Sequence, residues 1–132
     1  MEQYVVDTHP LLWYVAADSR ISSQAKAVLD KAEAGEVKII VPAIVLIEAI
    51  DILKKGRIIY DVNNLLEWIE QIPHHEIKNL DWDIITLFKD YTPSIPKDSH
   101  DKIIIITAQH FGNIPLITKD GDIQRTYSPT IW

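Results

Sequence analysis

Between Asp98 and Asp122 the segment DSHDKIIIITAQHFGNIPLITKDGD sets two acidic pairs against two apolar runs. Asp98 and Asp101 precede Ile103–Phe111, and Asp120 and Asp122 follow Ile114–Thr118. With the first run a helix and the second a strand, one pair stands at a helix start and the other at a strand end. Those places adjoin in a parallel α/β sheet, where ligands gather beyond the carboxyl ends of the strands. Carboxylates brought that close repel unless a cation or a proton intervenes. Two further acids extend the set. Asp7 ends the short run YVV, a position that suits equally a crevice-lining ligand and the N-cap of a helix entered near Pro10. Glu48 lies within AIVLIEAIDIL, where a charge without a partner is out of place. A helix returning from the second strand brings it towards Asp7; the plainer alternative is an exposed glutamate on an imperfectly amphipathic helix.

Within each pair the roles divide. Asp98 and Asp101 are three apart and share a helical face; Asp98 reads as the helix cap and Asp101 as the site residue. Asp120 comes two residues after Thr118 and reads as the site residue, with Asp122 as the cap of a last helical turn. Asp7, Glu48, Asp101 and Asp120 thus come from separate segments to one sheet edge. An all-oxygen donor set suits Mg²⁺ or Mn²⁺. Two such ions about 3.5–4 Å apart activate a water and stabilise the leaving oxygen in phosphodiester cleavage.

The elements needed to position these acids can be read along the chain. Tyr4–Val6 is a strand, and Leu11, Leu12, Val15 and Ala16 recur at helical spacing after it. Ser22 or Ser23 caps a helix with Ala25, Val28, Leu29 and Ala32 on its inner face, and Gly35 ends it. Val37–Val41 has the β-branching of a buried strand, stopped by Pro42, and Ala43–Leu53 is the helix carrying Glu48. Lys54, Lys55, Gly56 and Arg57 close that helix with cations and a glycine. Asp61 caps a helix with Leu65, Leu66 and Ile69 inward; His75–Leu80 is a short strand; Asp81 caps a helix with Ile84, Ile85 and Phe88. YTPSIP at Tyr91–Pro96 is loop. The four isoleucines Ile103–Ile106 favour a strand by propensity, but a cap at Asp98 or Ser99, the continuing apolar pattern and a stop at Gly112 make a helix. Leu116–Thr118 is a strand, Asp122–Arg125 a helical turn and Thr130–Trp132 an edge strand. The order β-α-α-β-α-α-β-α-α-β-α-β implies one domain, a mostly parallel sheet flanked by helices.

Composition narrows the class without choosing a substrate. At 132 residues with 47 % apolar content, the chain suits one globular domain. It has no cysteine, which excludes disulfides and thiolate metal sites and fits a reducing, cytoplasmic setting. No apolar run approaches membrane-spanning length, and the N-terminus does not read as a signal peptide. A net charge of −6 argues against a broad basic coat for nucleic acid. It is compatible with a nuclease whose acidic centre reaches phosphate through cations.

At these residues the sequence resembles the PIN-domain family, and within it the VapC-type toxins of bacterial toxin–antitoxin pairs. The similarity runs over the whole chain, 1–132, as one PIN domain. It is carried by VVDTHPLLWY, SRISSQA, VPAIVLIEA, LKKGRI, KDSHDKIIIITA, PLITKDGDI and the terminal Trp132. The resemblance implies a PIN-like three-layer sandwich and a metal-dependent endoribonuclease, with Mg²⁺ or Mn²⁺ held by Asp7, Glu48, Asp101 and Asp120. It gives Asp98 and Asp122 auxiliary roles and lets Thr8 bond a metal-bound water. It also implies a homodimer, an RNA substrate and a cognate antitoxin whose tail fills the acidic groove. The chain departs from the subgroup at Ser99 and Lys102, often proline and arginine, and at Ile47, often tryptophan. Lys102 keeps a cation beside the site without the bidentate grip of arginine.

Other features have plainer readings. Lys119, between Thr118 and Asp120, is placed to meet the scissile phosphate. Lys54, Lys55 and Arg57 could hold an RNA backbone, although helix termination accounts for them. Trp13, Tyr14 and Trp68 offer an interface surface for a dimer or antitoxin, with core packing the default for at least one. The histidines His9, His74, His75, His100 and His110 form no zinc pattern. A phosphoacceptor receiver needs an acidic pair after the first strand, and an aspartate-nucleophile phosphatase a second acid two residues after the first, where this chain has His9. A non-toxin RNA-processing nuclease and a non-catalytic PIN-fold binding module are the remaining alternatives.

Overall fold

The computed structural model describes residues 1–132. The elements are β1 (Gln3–Val6), α1 (Thr8–Val15), α2 (Ser23–Glu33), β2 (Lys38–Pro42), α3 (Ala43–Lys54), α4 (Val62–Gln71), β3 (His75–Lys78), α5 (Trp82–Lys89), α6 (Ser99–His110), β4 (Leu116–Ile117), α7 (Gly121–Thr126) and β5 (Thr130–Ile131). This is the expected alternation. The five strands form one sheet in the order β3-β2-β1-β4-β5, and every pairing is parallel. The chain builds outward from β1 through β2 to β3, then crosses back to lay β4 on the other side of β1. That reversal puts a topological switch point between β1 and β4, where a parallel sheet opens a crevice beyond its strand ends.

The sheet is buried on both faces, as the β-branched strands require. Val5, Val6, Ile40, Leu116 and Ile117 are fully inaccessible to solvent. Helix α6 packs against β1, α3 and α5, while α3 also meets β2, α1 and α4. The enclosure of α6 explains its sequence. Ile104, Ile105 and Ile106 face neighbours all round and are buried, so burial outweighs the strand propensity of β-branched residues.

Caps set most helix starts. Asp7, Ser22, Asp61, Asp81, Asp98 and Asp120 each accept a backbone N–H from the first turn of the helix that follows. Asp120 rather than Asp122 caps the last helix: its carboxylate accepts from Ile123 N at 2.9 Å, and Asp122 lies inside the first turn, paired with Arg125. The reason is that β4 ends at Ile117, which leaves room for the helix to begin at Gly121. Strand β2 runs one residue further than expected, because Pro42 at its end lacks only an N–H that a terminal position can forgo. Strand β3 stops at Lys78, short of Leu80, as the chain turns into the Asp81 cap.

The Asp61 carboxylate, which does not line the cavity of site acids described below, accepts from the amides of both Asn63, at 2.8 Å, and Asn64, at 3.2 Å. Asp61→Ala is expected to lower stability by about 1 kcal/mol, a melting-temperature loss of about 4 °C by circular dichroism. An unchanged melting curve would show that the cap contributes nothing to α4.

Candidate active site

A cavity of about 460 Å³ opens at the switch point, lined by Asp7, Thr8, His9, Pro10, Trp13, Glu48, Asp98, Asp101, Lys119 and Asp120. The five acids arrive on four supports. Asp7 follows β1, Glu48 rides the middle of α3, Asp98 and Asp101 open α6, and Asp120 follows β4. The cavity thus gathers all four carboxylates expected at the site, together with Asp98. Asp122 is not among the lining residues; its carboxylate is taken up by Arg125 at the protein surface.

Asp7 is the deepest of the set. Its Oδ1 accepts the Thr8 N–H at 2.7 Å, and its Oδ2 accepts the Thr118 hydroxyl at 2.8 Å. Asp7 thus caps α1 and lines the cavity at once, and the two readings of it do not compete. Thr118, wholly buried at the end of β4, also accepts the Asp120 N–H at 3.0 Å. One hydroxyl thereby links the acid after β1 to the acid after β4 across the crevice. The Thr8 hydroxyl donates to Glu48 Oε1 at 3.3 Å, and His100 Nδ1 lies 3.7 Å from Glu48 Oε2.

The electrostatics follow from burial and crowding. Burial raises the pKa of Asp7, opposed by its bonds to Thr118 and Thr8. Burial likewise raises Glu48, with Asp7 adding to the effect and His100 opposing it. Asp101 is pushed to about 7, first by burial and then by the charges of Asp7, Asp120, Asp98 and Glu48. No positive group opposes this rise. Asp101 is the member of the cluster least compensated by the protein itself.

No three acidic or imidazole side chains converge tightly enough to enclose an ion on their own. What the site offers is a set of carboxylate oxygens around a polar cavity, without thiolates. That donor chemistry fits Mg²⁺ or Mn²⁺, ions that retain several waters and take one or two carboxylates from the protein. The uncompensated charge on Asp101 favours such a cation by the same logic.

The expected phosphate-facing lysines separate. Lys119 lines the cavity, its Nζ 5.4 Å from the centre of the Trp13 ring. Lys102 does not line it, and its ammonium stands 5.9 Å from the Tyr91 ring centre. The helical spacing that puts Asp101 inward turns Lys102 aside. Trp13 is buried in the core and walls the cavity, whereas Tyr14 and Trp68 face a neighbouring groove of about 600 Å³. There the Tyr14 hydroxyl and Trp68 Nε1 both reach Glu33.

Two residues that shape the site carry little signal in the sequence. Thr118 reads from the sequence only as the end of a strand, although a threonine bonding the backbone two residues on is a recognisable turn pattern. His9, exposed at the cavity rim, gives no sequence signal of its own.

The fold and site define an acidic-crevice α/β domain. The PIN domain model matches residues 4–129, and the chain belongs to the PIN-domain family. Among solved structures it is similar to a chain of VapBC2 from Rickettsia felis, crystallised bound to a DNA fragment from its promoter. The identity is 14 %, the TM-score 0.61, and the alignment covers 93 % of this chain and 92 % of that one. At that identity the likeness is one of fold. No curated protein matches the chain.

Proposed function

We propose that this protein is a divalent-metal-dependent endoribonuclease acting as the toxin of a toxin–antitoxin pair. The observation that carries the reading is the meeting of Asp7, Glu48, Asp98, Asp101 and Asp120 in one cavity at the sheet's switch point. Membership of the PIN-domain family and the fold shared with VapBC2 support it. Asp7, Glu48, Asp101 and Asp120 would hold Mg²⁺ or Mn²⁺ together with bound waters, with Asp98 at the rim. When bound, the metal supplies Lewis acidity that activates water and offsets charge on the phosphodiester.

The chain's own residues set the geometry. Thr8 N–H and the Thr118 hydroxyl hold both oxygens of Asp7, so its carboxylate has little freedom to swing. Thr8 orients Glu48 through its hydroxyl. Lys119, at the mouth of the cavity, meets the scissile phosphate and balances its charge. The substrate is RNA, the protein works in the cytoplasm as a homodimer, and a cognate antitoxin silences it by covering the acidic cavity. No helix of the chain is long and apolar enough to cross a membrane.

The test is cleavage of end-labelled single-stranded RNA by the purified protein with Mn²⁺ or Mg²⁺. Cleavage is expected in the wild type, abolished by chelator and by Asp7→Asn, and retained in Asp61→Ala. Equal cleavage by wild type and Asp7→Asn, or none with any divalent ion, would sink the reading. Expression is expected to arrest growth, with relief by Asp7→Asn. Cleavage in vitro without growth arrest would assign a processing nuclease rather than a toxin.

A further inference from the structure

A second cavity of about 460 Å³ adjoins the carboxylate site and shares His9 and Glu48 with it. Its character is different. His9, Arg20, Arg57 and His100 bring nitrogen donors to it from α1, the α1–α2 connection, the chain after α3, and α6. Glu48 and Asp51 are its acids, and each has a cationic or imidazole neighbour of its own. Asp51 accepts from Lys55 at 2.8 Å, and Glu48 faces His100.

The two arginines are placed by local structure. Asp18 accepts from Arg20 Nε at 3.0 Å and from Arg20 Nη2 at 2.8 Å, with the guanidinium carbon 5.1 Å from the Trp13 ring centre and Nη1 uncommitted. Arg57 is placed by the end of α3. Gly56 N–H bonds Leu53 O and Arg57 N–H bonds Ile52 O, the paired closure of a Schellman turn. That turn needs the left-handed backbone that Gly56 adopts at φ +71°. It reverses the chain so that Arg57 falls back beside Asp51 and Ile52 at the cavity wall. Its neighbours in the basic run go elsewhere: Lys55 pairs with Asp51, and Lys54 does not line the cavity. Arg57 stands in no ion pair of its own; Asp51, close enough to feel its charge, is bonded to Lys55.

We propose that this cavity seats a second, non-scissile phosphate of the RNA, with Arg57 as its principal ligand and Arg20 as a pre-oriented partner. The proposal rests on the nuclease reading of the adjoining site. An uncommitted guanidinium beside a fixed one presents the planar donor fork suited to phosphate oxygens. A polyanion crossing an acidic centre also needs cationic contacts on one side of it, because metal alone neutralises only the phosphate it touches. The path of the strand then follows: it joins the cavity lined by Lys119 and the carboxylates to the one lined by Arg57, past the shared Glu48.

The test compares Arg57→Ala, Arg57→Lys and Lys54→Ala, reading cleavage kinetics with Mn²⁺ and binding of a fluorescent single-stranded RNA in chelator across a salt series. Arg57→Ala is expected to raise KM on the order of tenfold with kcat held within about twofold, and to flatten the slope of log Kd against log salt by about 0.7, one phosphate contact. Arg57→Lys is expected to fall between, keeping the charge without the fork. Lys54→Ala, equal in charge but outside the cavity, is expected to match wild type. If wild type cleaves and Arg57→Ala changes neither KM nor the salt slope, the subsite is overturned while the nuclease stands. Equal effects from Arg57→Ala and Lys54→Ala also overturn it, since the contribution is then general charge. If wild type does not cleave yet binds RNA with an Arg57-dependent slope, the subsite stands and the nuclease reading falls.

Discussion

Asp101→Asn is expected to lose metal-dependent RNA cleavage on the order of a thousandfold, about 4 kcal/mol, while making the metal-free protein more stable above pH 7. The two effects share one cause. Burial and four neighbouring carboxylates push the Asp101 pKa to about 7. A carboxyl whose folded pKa lies above its unfolded value binds its proton more tightly in the folded state. Stability contributed through this group is therefore present below about pH 4, declines as pH rises from there to about 7, and is lost above. Asparagine has the same shape and no charge at any pH, so it removes the cost at pH 8 and changes little at pH 4. Asp101 is only half-buried, and after allowance for solvent screening the gain is about 1 kcal/mol, a rise of about 4 °C in melting temperature. Initial rates with Mn²⁺ and calorimetry at pH 4 and pH 8 check both halves. Retained cleavage, or a variant less stable than wild type at pH 8, would contradict the role given to Asp101. In the wild type, Mn²⁺ is expected to raise the melting temperature more at pH 8 than at pH 5, because only the ionised cluster binds it.

Thr118→Val is the second large effect. Valine keeps the shape and the strand preference of threonine but deletes a hydroxyl that donates to Asp7 Oδ2 and accepts from Asp120 N. Both partners lose a bond, Asp7 in a buried position and the Asp120 N–H in a half-buried one, and each orphaned group costs about 1–3 kcal/mol. The variant is expected to be less stable by about 2–4 kcal/mol on that basis. Asp7 also loses one of the two bonds that oppose its upward pKa shift. The acid limb of the pH–rate profile should therefore move to higher pH, with cleavage at neutral pH down about 10–100-fold, as for other groups that orient metal ligands. Thr118→Ser restores the hydroxyl and is expected to recover the profile, though not all of the packing. A profile unmoved in Thr118→Val would make Thr118 a purely structural residue.

These expectations depend on facts of different origin. The alternation of strands and helices could be read from the chain, because β-branched runs, aspartate and serine caps and closing glycines are local signals. So could the identity of the acids. Glu48 stood out because a charge among Ile47, Ala49 and Ile50 needs a reason, and Asp101 because a first-turn acid shares a face with its neighbour three residues back. Boundaries were less legible. Whether Asp120 or Asp122 caps the last helix depends on where β4 runs out of partners, which is decided by β1 and β5 rather than by the turn itself.

The sequence by itself determined the parallel α/β class, the acids of the cavity and the absence of thiolate chemistry. The tertiary structure alone decided which groups meet. It set β4 rather than β2 beside the far edge of β1, and so made Thr118 the bridge between Asp7 and Asp120 across 111 residues of chain. It turned Lys102 away and Lys119 inward, and it folded Arg57 back towards a cavity that shares Glu48 with the acidic site. Local patterns fix backbone geometry through hydrogen bonds a few residues apart. Proximity between distant segments depends on strand order and helix packing, which the whole core settles together.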